Sequence, residues 1–124
     1  LKPTKIYTKE IMNLAHKNLI ISASHITGGG LVENILRSIP NNLSIDINLS
    51  KIKSPGIFKW IKKNNISDQE MLRTFNCGVG FCLIVNKKNI KKIKKYFMKE
   101  YMPYEIGYIS KSRNRITLRE KMRW

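Results

Sequence analysis

The chain has 124 residues, 24 of them Lys or Arg and 8 Asp or Glu, for a formal net charge of +16. That length is one domain's worth. Two cysteines exclude a disulfide framework or a Cys-rich zinc site, and no apolar run approaches the ~20 residues of a membrane-spanning helix.

Leu1 to Tyr7 reads as extended, with Pro3 opposing a helix. Thr8 is placed to cap a helix whose apolar positions are Ile11, Leu14 and Ala15, and His16 falls at its exposed end. Leu19 to Ser24 reads as a buried strand. It runs into Ser24-His25-Ile26-Thr27-Gly28-Gly29-Gly30, after which apolar residues at 31, 32, 35, 36 and 39 mark a helix to about Ser38. The pattern is strand, glycine turn, helix. Glycine permits positive φ and close approach of the backbone to a ligand. The free N–H groups and dipole of the following helix favour an anion. His25 and Thr27 then stand at the strand end beside that anion. Asn34 and Arg37, three apart, share a helical face turned either to a ligand or to water.

Pro40-Asn41-Asn42 ends that helix. Leu43, Ile45, Ile47 and Leu49 alternate with polar residues, which predicts a half-buried strand. Ser54 reads as a cap and Pro55 as the first residue of a helix bearing Ile57, Phe58 and Ile61, with Trp60 beside them. Ser67-Asp68-Gln69-Glu70 fits a capping box. It opens a short helix through Met71, Leu72 and Phe75, with Arg73, Thr74 and Asn76 at its end. Gly78 and Gly80 introduce a strand from Phe81 to Val85. If Cys77 and Cys82 both lay on one regular strand, their odd separation would put them on opposite faces.

Lys87 to Tyr101 predicts one long helix, Ile90, Ile93 and Phe97 inward and seven lysines outward. Tyr104 to Ser110 reads as a strand in which Gly107 marks a bulge or a close backbone approach. Lys111 to Asn114 is a turn, Ile116 and Leu118 belong to a last strand, and a basic tail ends at Trp124. Helices interleaved with strands that have one polar face predict an α+β domain, a single mixed sheet with packed helices.

Two segments carry a family resemblance. SHITGGGLVEN (24–34) and MLRTFNCGVGF (71–81) are similar to the two signature segments of aminoimidazole ribonucleotide synthetase, also called phosphoribosylformylglycinamidine cyclo-ligase. Leu1 to Tyr7 resembles the start of that enzyme's C-terminal domain, and Pro55-Gly56-Ile57-Phe58 and Tyr104-Glu105-Ile106-Gly107 follow in the expected order. The resemblance covers most of the chain but only the C-terminal half of the enzyme.

It implies a fold partly like the ferredoxin fold, with residues 1–124 forming the substrate and cleft domain. It implies ATP-dependent closure of the imidazole ring of formylglycinamidine ribonucleotide in de novo purine biosynthesis. ATP and Mg2+ would be held mainly by an N-terminal ATP-binding domain, on the same or a separate chain, in a cytoplasmic homodimer. The segment alone would be inactive: a fragment, a split subunit or a remnant. His25 is the candidate catalytic residue. Thr27, Gly28, Gly29, Gly30 and Asn76 are the candidate substrate- and phosphate-binding residues, with Asn34, Arg37, Arg73 and Thr74 behind them. Arg73 and Thr74 have an equal alternative, fixing their helix end through backbone bonds. No metal-ligand spacing is present. Two departures from the family pattern, Leu72 for an aromatic residue and Phe81 for methionine, stay apolar and bear on packing. The stretch RTFNCGVGF favours the cyclo-ligase over sister enzymes such as selenophosphate synthetase or thiamine monophosphate kinase.

The positive charge suits a nucleic-acid partner. Lys, Asn and Ile, however, make up 49 of the 124 residues, and Arg occurs only six times. All three common residues have A/T-rich codons, so the charge reads as compositional bias that also attracts a phosphorylated substrate. Cys77 to Ile84 faintly echoes an RNA-recognition strand. Val79 and Ile84 stand where that role needs stacking aromatics, so an RNA-binding module is the lesser reading, beside a non-catalytic remnant of the cyclo-ligase.

Overall fold

The structure, a computed structural model, describes Pro3 and residues 5–124. The extended reading of Leu1, Lys2 and Thr4 falls outside the described residues. Ten elements follow in order: α1 (Thr8–His16), β1 (Ser22–His25), α2 (Gly30–Arg37), β2 (Ser44–Asn48), α3 (Gly56–Lys62), α4 (Asp68–Thr74), β3 (Phe81–Ile84), α5 (Ile90–Lys94), β4 (Gly107–Ser110) and β5 (Ile116–Arg119).

The fold is α+β, as the interleaving requires, but its strands divide between two sheets instead of forming one. β1 and β3 make an antiparallel ribbon in which His25 faces Phe81. β2 lies centrally in the second sheet, antiparallel to β4 and parallel to β5. The two sheets share a core rather than a ladder. Helix α2 packs on both β1 and β2, and its Leu31 and Ile35 join Ile45 and Ile47 of β2, Met71 and Leu72 of α4, and Cys82 of β3. A second, smaller cluster of Leu14, Leu19 and Ile93 packs α1 and α5 against Leu83 and Val85.

Several local expectations shift. Thr8 is the first helical residue of α1, and Tyr7 precedes it without a side-chain cap. The strand expected from Leu19 begins at Ser22; Leu19 is buried in the second cluster, whereas Ile21 is exposed. Pro55, not Ser54, stands at the N-cap position of α3, without a side-chain cap bond, and the Ser54 hydroxyl is buried with no partner among the described residues. Ser67 does cap α4, its hydroxyl accepting from the Glu70 N–H at 3.1 Å. The strand expected from Tyr104 starts at Gly107. There a Cβ would lie 2.0 Å from the Asp46 carbonyl oxygen, so β2 and β4 approach as closely as glycine allows.

The largest departure is the lysine-rich segment. The single helix expected over Lys87–Tyr101 is three short pieces: a 3-10 turn at Lys87–Asn89, the five residues of α5, and a 3-10 turn at Lys99–Tyr101. Its lysines recur at three- and four-residue spacings, which place like charges side by side on a helix at a cost of a few tenths of a kcal/mol per pair. Only Ile93 is buried within α5 to offset them.

The polar face of the second sheet is knitted by Asp46. Its carboxylate accepts from Arg119 Nε at 2.6 Å and from the Tyr108 hydroxyl at 3.0 Å. The basic tail folds back: Met122 is buried, and Trp124 Nε1 donates to Asp68 Oδ1 at 3.0 Å.

Candidate functional site

Some forty residues separate the two motifs in sequence, and the fold brings them together. His25 and Phe81 are opposite in the β1–β3 ribbon, with rings stacked at a centroid distance of 5.9 Å and an angle of 26°. One residue on, the Ile26 N–H donates to the Gly80 carbonyl at 3.0 Å. Helix α2 then packs on α4 at Gly30, where a Cβ would lie 1.9 Å from the Leu72 carbonyl oxygen. The glycine turn therefore sits between β3 and α4.

The three glycines differ in what they do. Gly30 is buried, has φ +66° and permits the helix contact. Gly29 has φ +91°, and a Cβ there would meet the Glu33 carboxylate. Gly28 is exposed, has no positive φ, and a Cβ there would meet nothing within 4 Å. The fold itself makes no use of glycine at position 28.

Asn34 departs from the reading that paired it with Arg37. It is only 7% exposed and turns into the turn, whereas Arg37 is exposed and paired with Glu33. Asn34 Nδ2 donates to the carbonyls of Gly30, Gly28 and Thr27 at 2.7, 3.1 and 3.4 Å. Its own carbonyl accepts from the Ser24 hydroxyl at 2.8 Å.

The second motif is likewise self-bonded. Asn76 Oδ1 accepts from the Gly78 N–H at 3.0 Å, shaping a turn in which Cys77 and Gly78 both have positive φ. Arg73 and Thr74 do not bond the backbone at their helix end. Both donate to the Glu70 carboxylate, each at 2.8 Å. Cys77 lies in this turn and not on β3, so it and Cys82 are buried in the same core. Burial pushes the Cys82 thiol up to about 12, and burial aided by the Asp68 charge pushes Cys77 to about 11.

Missed from sequence was an aromatic row leading away from the turn. Tyr7 packs on Phe81 at 5.3 Å and meets Tyr101 edge-on at 6.3 Å. Gly80 makes room for it, since a Cβ there would lie 2.5 Å from the Tyr7 hydroxyl. Burial, followed by the Tyr101 charge, raises the Tyr7 phenol above its ordinary 10.0. Rings at positions 7, 81 and 101 share no sequence period, so only the fold reveals the row.

Thr27 and Gly28 are exposed, so the site is an open wall. Its donors are backbone N–H groups, a hydroxyl and an imidazole, a set suited to anionic oxygen. Among the described residues no three His, Cys, Asp or Glu side chains gather to hold a metal.

The model of the AIR synthase related protein, C-terminal domain family matches residues 1–119. The chain belongs to that family. Among its relatives, the phosphoribosylformylglycinamidine cyclo-ligase of Geotalea daltonii is 47% identical over 94 residues, 75% of this chain and 27% of that protein. The cyclo-ligase of Methylobacillus flagellatus is 38% identical over 109 residues, 86% of this chain and 32% of that protein. A trifunctional purine biosynthetic protein of Gallus gallus is 39% identical over 110 residues, 88% of this chain and 11% of that protein. The chain thus spans about a third or less of the relatives it matches. The family match covers both motifs and stops at Arg119, five residues before Trp124, which bonds to Asp68. No helix among the described residues is long and apolar enough to cross a membrane.

Proposed function

We propose that this chain is the C-terminal part of a cytoplasmic, ATP-dependent phosphoribosylformylglycinamidine cyclo-ligase, acting on formylglycinamidine ribonucleotide in purine biosynthesis. Its relatives' names and the family match support the reaction class. The observation that carries the site is Gly28: a glycine with no internal need for glycine, on an open turn where the two motifs meet. A ligand approaching the backbone there gives its missing side chain a use.

In that reaction the substrate's amide oxygen would take the terminal phosphoryl group of ATP, with ADP leaving. A substrate nitrogen then attacks the carbon that bears this oxygen, the C–O bond breaks, and phosphate and the nitrogen's proton leave as the ring closes. The tasks left to the protein are positioning and neutralising phosphate charge. Gly28 and Gly29 would offer N–H groups to a phosphate, and Thr27 its hydroxyl. Gly30 acts through packing, since its N–H is bonded to the Thr27 carbonyl at 3.2 Å. His25, exposed at the mouth of the turn, would donate to the substrate or relay its proton. Asn76 holds its turn through Oδ1 and keeps its amide NH2 for a substrate carbonyl. Arg37, Arg73 and Thr74, tied to Glu33 and Glu70, serve the scaffold. A separate N-terminal domain would supply the opposite wall of the cleft, ATP and Mg2+, and the dimer contacts; this segment alone would be inactive.

The test mixes the chain with an N-terminal ATP-binding domain of the same family and assays ring closure. Activity in the mixture alone, abolished by Gly28→Val in a chain that melts like the parent, supports the reading. A mixture whose N-terminal part binds ATP but closes no ring leaves the chain a non-catalytic remnant.

A further inference from the structure

We infer that Asn34 is a positioning residue: it fixes which way the peptide groups of the glycine turn face. The inference deepens the phosphate-binding reading above and rests on it for its functional meaning, but not for its geometry. A trans peptide is planar, with N–H opposed to the C=O of the same unit, and no described peptide is cis. The Asn34 amide draws in the Gly28 carbonyl at 3.1 Å and, together with the Gly30 N–H, holds the Thr27 carbonyl. The N–H of the residue following each, Gly28 and Gly29, must then point the opposite way. Neither the Gly28 nor the Gly29 N–H has an acceptor among the described residues.

One buried side chain thus converts a flexible triple-glycine turn, whose peptides would otherwise flip at little cost, into a fixed set of outward donors. The choice of asparagine follows. Three carbonyl oxygens converge on one atom, so that atom must be a donor, and the amide nitrogen carries two hydrogens to share among them. Aspartate, of the same shape, would place a carboxylate oxygen among three carbonyl oxygens.

The measurement is amide NMR of the 15N-labelled chain, free and titrated with inorganic phosphate. It compares the parent with Asn34→Asp, Asn34→Ser and, as control, Ser24→Ala. The control removes the hydroxyl bond to the Asn34 carbonyl and leaves the turn's own bonds intact. In the Asn34 variants we expect the Gly28 and Gly29 resonances of the free protein to shift or broaden while those of Ala23 and Cys82 hold. Phosphate affinity should fall at least about tenfold, well below the melting temperature. Ser24→Ala should lose thermal stability and keep its phosphate response. If the parent ignores phosphate but the turn resonances still move in the Asn34 variants, the phosphate reading fails and the positioning role stands. Unchanged turn resonances in both Asn34 variants would overturn the inference. So would loss of phosphate affinity in Ser24→Ala equal to theirs, or global unfolding of both Asn34 variants, since each makes Asn34 a matter of stability alone.

Discussion

A Cβ on Gly30 would stand 1.9 Å from the carbonyl oxygen of Leu72. This contact joins the first motif to the second through backbone, where no rotamer change can relieve a clash. Gly30→Ala also imposes a left-handed φ of +66° on an L-residue. Together these should cost at least about 2 kcal/mol. Gly28→Ala should leave stability within about 0.5 kcal/mol, as surface changes generally do. Urea titration of the two variants checks the contrast, and equal losses would mean that α2 and α4 can slide apart.

The His25–Phe81 stack separates packing from chemistry. His25→Phe preserves an aromatic face against Phe81 and removes both ring nitrogens. Stability should therefore hold, while ring closure in the reconstituted enzyme falls. His25→Ala should lose, in addition, the ~0.5–1.5 kcal/mol typical of an aromatic pair. Full activity in His25→Phe would remove the imidazole from proton transfer and leave it as a packing residue.

Both thiols should be inert in the folded protein at pH 8. Burial holds Cys82 near 12, and burial with the Asp68 charge holds Cys77 near 11, so the reactive thiolate is scarce. Iodoacetamide should label neither cysteine within an hour, and both after denaturation. Rapid labelling of Cys77 alone would show that the turn at residues 76–79 opens independently of β3.

Acid should act on the tail through Asp68. The hydrogen bond from Lys62 lowers its carboxyl pKa below the ordinary 3.8, with burial opposing and Trp124 assisting. A carboxyl whose folded value is depressed contributes stability that is complete above its unfolded pKa and lost as pH falls through the folded one. The thermal advantage of the parent over Asp68→Asn should thus be constant from pH 7 to 5, begin to fall near 3.8 and vanish only below the depressed folded value. Trp124 fluorescence, which reports undocking of the tail, should follow the same course. An advantage independent of pH would place the tail's attachment in Met122 instead.

How much of this was legible in the sequence depended on the range of the interaction. Ser67 capping α4 is written within four residues, and its bond to the Glu70 N–H was readable without a structure. The glycine turn and its helix were readable for the same reason. The apolar period over Lys87–Tyr101 was equally visible and misled, because it takes no account of the like-charged lysines crowded on the same segment. Asn34 was placed on the right element and given the wrong surroundings. Position in a helix fixes an angle, but whether that angle meets solvent or the Gly28 carbonyl depends on how the preceding turn folds back. The division of the strands between two sheets was invisible, since β2 finds both its partners sixty or more residues later.

That last separation has a consequence for the order in which the molecule is made. At about 5–20 residues per second, the ribosome needs several seconds after completing β2 to deliver β4 and β5. Throughout that interval Ser44 to Asn48 has neither of its ladder partners, and it carries Ile45 and Ile47, which the finished protein buries almost completely. Asp46 sits at its centre. Until Arg119 arrives to pair with it, that lone carboxylate makes self-association of the strand unfavourable. The same residue is thus a gatekeeper during synthesis and a clasp afterwards, and Asp46→Asn should reveal itself first in aggregation on translation and only second in the stability of the finished fold.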